Sequence, residues 1–213
     1  MLVLCAATST AANASGQSAA QSEGRQRSQA TALSQDARDV LSWVRQSGNN
    51  AQLPFVLVDK RHAAVHVFDS AGVRQASSPA LLGLARGDHS VPGIGERPMS
   101  QIAPHERTTP AGRFASEPGR NLQGEDIVWI HYDDAVSLHR VRPSHPAERR
   151  LQRLVTGTAA DNRISFGCVN LPVPFYDRFV APTLGQQPGV IYVLPETQPV
   201  GEFFGFAPAT HRR

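Results

Sequence analysis

Short apolar runs punctuated by glycine and proline constrain this chain more than any other feature. Pro54-Phe-Val-Leu-Val-Asp-Lys60, Ala63-Ala-Val-His-Val-Phe-Asp69, Ile127-Val-Trp-Ile-His-Tyr132, Ala135-Val-Ser-Leu-His-Arg-Val141 and Gly189-Val-Ile-Tyr-Val-Leu-Pro195 are strand-length and rich in β-branched or aromatic residues. Sixteen prolines and seventeen glycines in 213 residues suit turns and loops, not the interior of a helix bundle. Arg61-His62 separates the first two runs, Asp69-Ser-Ala-Gly72 makes a turn into a third strand, and Leu81 to Leu84 is a further apolar run. The expected fold is mainly β with small peripheral helices. Ser34 to Gly48 is one such helix, with Val40, Leu41 and Val44 on one side and glycine as its stop. Pro146 to Val155 and Phe175 to Val180 are the other two.

Four segments follow from composition. Residues 1–14 end in Ala12-Asn13-Ala14, the small-residue pattern of an export signal, although no Lys or Arg precedes the apolar stretch. That absence suggests a start further upstream or an atypical signal. Leu4 stands where a lipoprotein signal would place a small residue before Cys5, which argues against lipidation. Residues 15–33 are polar, rich in Ser, Gln and Ala, and read as a flexible linker. Residues 34–196 are the size of one domain. Residues 197–213 form a tail whose Phe203, Phe204 and Phe206 could dock on the domain or on a partner. The expected location is outside the cytoplasm, in the periplasm or cell envelope of a bacterium.

Charge excludes more than it selects. The net charge is +3, and Lys60 is the single lysine against twenty arginines. No basic stripe interleaved with aromatics is present, so a nucleic-acid partner is not expected. Arg149, Arg150 and Arg153 read as a solvated helix face. No second apolar stretch is long enough for a stable membrane span. The segment from Arg86 to Pro110 is long, aperiodic and rich in Gly and Pro, a length usually reserved for functional or disordered loops, and a lid over a site is one use for it. Gly93-Ile-Gly95 within it is not a phosphate loop, because no strand–helix pair frames it.

Outside the export segment Cys168 is the only cysteine, in Ser165-Phe166-Gly167-Cys168-Val169-Asn170. A lone thiol in an exported chain is either a small buried hydrophobe or a nucleophile. A nucleophile needs a base, because a free thiol is mostly protonated at neutral pH. His139 is the best candidate: strand alternation puts Leu138 on one face and Ser137, His139 and Val141 on the other. The histidine precedes the cysteine, the reverse of the papain order. A metal site would have to draw on His62, His66, His139 and His145, and no carboxylate or cysteine completes a ligand pattern.

These residues resemble the L,D-transpeptidases with a YkuD-type catalytic domain. The resemblance rests on His139 at a strand end, on Ser165, Gly167, Cys168, Val169 and Asn170, on Thr109-Pro110-Ala111-Gly112-Arg113-Phe114, and on Val58-Asp-Lys60 with Val65-His-Val-Phe68. It covers roughly residues 54 to 195. It implies a mixed β-sandwich or barrel and two-step acyl transfer without a cofactor. Cys168 would be the nucleophile and His139 the general base, with the backbone N–H groups of Gly167 and Cys168 as oxyanion donors. Ser165 and Asn170 would shape the turn, and Arg140 would meet a stem carboxylate or solvent. The implied substrate is a peptidoglycan tetrapeptide stem, attacked between meso-diaminopimelate and the terminal D-Ala. An amine of a second stem then completes a cross-link, or water gives carboxypeptidase or hydrolase activity. Two departures stand out. Phe166 replaces the family's histidine before Gly-Cys, and the insert between His139 and Ser165 is long. The alternative is therefore a degenerate or redirected domain, a murein hydrolase or a wall-binding module.

Overall fold

The computed structural model describes residues 32–143 and 145–207. The proposed export signal lies outside the described residues, as does all of the linker except Ala32 and Leu33. The fold is mainly β. Its strands are β1 (Phe55–Asp59), β2 (Ala64–Phe68), β3 (Arg74–Pro79), β4 (Leu82–Gly83), β5 (Gly112–Arg120), β6 (Asp126–His131), β7 (Val136–Arg140), β8 (Arg163–Ser165), β9 (Val169–Leu171) and β10 (Gly189–Val193). Eight of them form one sheet in the order β3-β2-β1-β10-β5-β6-β7-β9, and β4 pairs with β8 separately. A bridge between Leu81 and Asn170 ties the β9 edge to the segment leaving β3, so the sheet nearly closes on itself.

Two cores occupy the two faces. Val56, Val58, Val65 and Val67 share the inner core with Val128, Leu138, Val169, Leu171 and Ile191. Phe55, Leu57, Phe68, Val190 and Tyr192 point outward under helix α1 (Gln35–Ser47). Strands β1, β2 and β10 are thus buried on both faces, which explains their unbroken apolar runs. Ser34 caps α1 by accepting from the Ala37 N–H at 3.0 Å, and Gly48 ends it in the left-handed region at φ 66°. Leu33, placed in the linker by composition, already packs on this second core.

The helices departed most from expectation. Pro146 to Val155 is not one helix: a 3-10 turn (Pro146–Glu148) and α2 (Arg150–Arg153) meet at Arg149, whose φ of 50° interrupts helical geometry. The helix expected at 175–180 is longer, with α3 (Val173–Phe175), a π-turn (Tyr176–Val180) and α4 (Ala181–Leu184) running continuously. In the tail, α5 (Val200–Phe204) docks on the domain: Phe204 and Phe206 stack on Trp43 with ring centroids 5.8 and 5.0 Å away. Among the described residues, no helix is long and apolar enough to cross a membrane.

The 86–110 segment is three short 3-10 turns held by specific contacts. Arg97 grips Glu106 with two bonds of 2.9 Å. Gly95 lies so close to the β6–β7 turn that a Cβ there would come 2.1 Å from the Asp133 carbonyl oxygen. The start of the segment is anchored by the buried Lys60, whose Nζ donates to Gly87 O, Asp88 Oδ1 and Thr109 O at 2.5, 2.8 and 2.9 Å. Glu196 joins this network and pairs with Arg163 at 2.6 Å.

Candidate active site

The inner core sets which residues face out. On β7, Val136 and Leu138 point into it, leaving Ser137 and His139 on the outer face. β9 runs parallel to β7, pairing Leu138 with Val169 and His139 with Asn170. Val169 points inward, so Cys168 and Asn170 flank it on the outer face beside Ser137 and His139. Neighbouring strands lie about 4.8 Å apart, which brings all four within side-chain reach.

Cys168 is partly exposed and unpaired. Its Sγ lies 3.6 Å from Ser137 Oγ and 3.6 Å from the carbonyl of Ala135. Burial alone pushes the thiol up; the hydrogen bond and charge of His139, with the backbone and hydroxyl of Ser137, outweigh it and bring the pKa down from 9.0 to about 7. Such a thiol is about half ionised at neutral pH.

The histidine's tautomer follows from its partners. Its Nδ1 is 2.7 Å from the Arg140 carbonyl, and a carbonyl only accepts, so Nδ1 carries the proton and Nε2 the lone pair. Nε2 is 3.3 Å from Asn170 Nδ2. The Asn170 amide is oriented the same way. Arg150 is a pure donor and sits 2.6 Å from Oδ1, so Nδ2 must face His139 and the Cys168 carbonyl, each at 3.3 Å. Arg150 is held in turn by Glu148 at 2.5 Å. The insert after His139 therefore reaches back onto the site through Arg150, which composition had placed on a solvated face. Sequence carries no signal for this, because the contact spans twenty residues and depends on the kink at Arg149.

The cysteine turn is built on glycine geometry. Gly167 has φ 137°, and a Cβ there would stand 2.8 Å from Thr108 O. Ser165 Oγ donates to the Cys168 carbonyl at 2.6 Å and accepts from the Gly167 N–H at 3.1 Å. This corrects one expectation: the Gly167 N–H, expected to face a substrate oxygen, is instead taken up by Ser165 Oγ. Thr109, from the Thr-Pro-x-Gly-x-Phe stretch, donates to Gly167 O at 2.8 Å and accepts from Gly83 N at 2.9 Å. Lys60 holds the Thr109 carbonyl, so the buried ion network supports the turn from behind.

The remaining candidates lie elsewhere. Arg140 is on the opposite face of β7, bound to Asp126 and Asp177 at 3.0 and 2.6 Å and stacked on Tyr176. It meets protein carboxylates, not the site. Phe166 stacks under the Arg107 guanidinium at 3.9 Å. His66 is buried and bonded to Ser77, and His62 pairs with Asp59. Among the described residues, no group of three His, Cys, Asp or Glu side chains is placed to hold a metal ion.

No family model matches this sequence, and no curated protein sequence matches it. Solved structures do. The L,D-transpeptidase LdtMt1 in complex with imipenem is 16% identical over 66% of this chain and 58% of its own, with a TM-score of 0.37. An L,D-transpeptidase from Mycobacterium smegmatis is 17% identical over 66% of this chain and 58% of its own, at 0.35. The catalytic domain of an E. faecium L,D-transpeptidase is 17% identical over 67% of this chain and 98% of its own, at 0.36. The chain thus spans 58% of the length of the first two.

Proposed function

We propose that this chain is an exported cysteine acyltransferase that acts on peptidoglycan stem peptides in the manner of an L,D-transpeptidase. One observation carries the reading: Cys168 Sγ lies 3.6 Å from Ser137 Oγ on the sheet face that it shares with His139, whose hydrogen bond and charge draw the thiol pKa down to about 7. A buried structural cysteine would have its pKa raised instead. The substrate class comes from the motif resemblance around His139 and Cys168.

The chemistry follows from the arrangement. His139 Nε2 takes the thiol proton, and the imidazolium is stabilised by its Nδ1–H bond to the Arg140 carbonyl. The thiolate attacks the carbonyl that joins the third stem residue to the terminal D-Ala. Charge that develops on the carbonyl oxygen is met by the Cys168 N–H. His139 returns the proton to the leaving amine of D-Ala, and a thioester remains on Sγ. An amine of a second stem, deprotonated by the same Nε2, opens the thioester and restores the thiol. Water in the amine's place gives the hydrolytic outcome.

Mass spectrometry of tetrapeptide muropeptides incubated with wild type and with Cys168→Ala tests this. The expected result is cross-linked dimer or released D-Ala from the wild type alone. Equal product from both proteins, or none from either, overturns it.

A further inference from the structure

The outer face of the sheet does not end at the thiol. Glu117 on β5 lies opposite Trp129 on β6, and Trp129 lies opposite Ser137 on β7. Ser137 in turn touches Cys168 Sγ at 3.6 Å. These four residues form one row across the sheet. Beside it, β5, β6 and the β6–β7 turn line an open groove of about 530 Å³.

Two aromatics shape this groove. Trp129 and Tyr132 meet edge to face, with centroids 5.2 Å apart and planes 71° from parallel, and so form a corner. Tyr132 is 68% exposed, so its ring is open to a ligand. The indole edge leans over Gly119, where a Cβ would come 2.3 Å from Nε1. Glycine at 119 is what lets the ring take this position. Around the corner, the Glu117 and Asp133 carboxylates have no protein partner among the described residues, and Arg113 directs its guanidinium to Asn49. The groove thus offers aromatic faces and free acceptors.

We propose that this groove is a saccharide subsite that seats the sugar end of the glycan strand carrying the stem. The proposal rests on the acyl-transfer reading, and spacing joins the two. Strand separations of about 4.8 Å put Trp129 roughly 10 Å from the thiol and Glu117 roughly 14 Å away. The attacked residue and the two before it span about 10 Å at about 3.4 Å each, so an extended stem brings its sugar attachment to the distance of Trp129. The chemistry agrees. Polarised sugar C–H bonds match the negative face of an aromatic ring, and hydroxyl donors match free carboxylates.

The test uses Cys168→Ala, which cannot turn over, and follows the two indole N–H resonances by NMR, assigned with Trp129→Phe. Three ligands are titrated: a disaccharide-linked stem peptide, the same stem without sugar, and a simple diamine. The sugar-linked stem is expected to bind at least tenfold more tightly than the bare stem and to shift the Trp129 resonance. Tyr132→Ala, at an exposed position that spares the fold, is expected to erase that preference. Equal affinity for both stems, absence of saturation with either, or a Trp129 shift produced by the diamine alone overturns the proposal. Detection of a thioester on the wild type by intact mass is a separate readout, so failure of the subsite and failure of the acyl-transfer reading are told apart.

Discussion

Arg150 donates to the Oδ1 of Asn170 at 2.6 Å, and this contact, with the bond from Nδ2 to the Cys168 carbonyl at 3.3 Å, decides which end of the amide faces His139. Without Arg150 only the longer bond to the Cys168 carbonyl resists rotation of the amide, and a rotated amide presents oxygen to Nε2, which would draw the imidazolium proton away from the thiolate. Arg150→Ala is therefore expected to lower turnover about 10- to 100-fold, the scale of a small misplacement of a catalytic group. Loss of one charge-assisted hydrogen bond costs about 2 kcal/mol, which leaves the fold intact. Arg150→Lys keeps a donor and should recover most of the rate. Steady-state kinetics with both variants, alongside the pH profile of thiol alkylation, checks the prediction. A structural role alone would leave that pH profile unmoved.

The thiol itself offers a direct titration. Alkylation of wild-type protein by iodoacetamide should rise with pH through a midpoint of about 7. In His139→Ala the lowering contributions of the imidazole are gone while burial remains, so the midpoint should move to about 8.5 or above. At pH 7 the variant would then react about tenfold more slowly. An unchanged midpoint would show that His139 does not hold the proton balance.

Glycine at 167 is required on two counts. Its φ of 137° is strained for any L side chain, and an added Cβ would press to 2.8 Å from the Thr108 carbonyl. Gly167→Ala is expected to cost about 2 kcal/mol or more and to displace Cys168 from Ser137. Thermal denaturation and alkylation rate should both change. Gly124→Ala is the control, because it shares a positive φ and meets nothing within 4 Å.

Strand alternation explains why so much of the candidate site was legible. A period of two is enough to put Ser137 and His139 on one face, and the structure has both beside Cys168. The cap pair Ser34 and Gly48 likewise marks the ends of α1. What escaped lacks a local signal. β5 is the longest strand, yet it reads Gly-Arg-Phe-Ala-Ser-Glu-Pro-Gly-Arg and presents mostly exposed residues, so no apolar pattern announces it. Lys60 looks like a strand-end surface lysine and is fully buried, because its partners Asp88 and Glu196 lie far along the chain. Arg150 escaped for the same reason of distance.

That buried lysine makes acid stability the last measurable consequence. Burial alone would raise the Asp88 carboxyl, but Lys60, Thr197 and the backbone N–H groups of Glu196 and Thr197 bring it down to about 2. In the unfolded chain it returns to the ordinary value near 3.9. A carboxyl depressed by folding stabilises the native state above its unfolded pKa, and that stability disappears as pH falls through the folded value. The contribution of Asp88 should thus be complete above about pH 4 and lost by about pH 2. Asp88→Asn removes one partner of a buried pair, which costs about 3 kcal/mol at neutral pH and lowers the melting temperature by roughly 10 °C. The gap between wild type and variant should narrow as the pH drops from 5 to 2. Thermal melts across that range check it, and a gap that stays constant with pH would mean that folding leaves the Asp88 pKa unshifted. Because Lys60 also binds the Thr109 carbonyl, and Thr109 holds Gly167, the same variant should slow alkylation of Cys168 at pH 7.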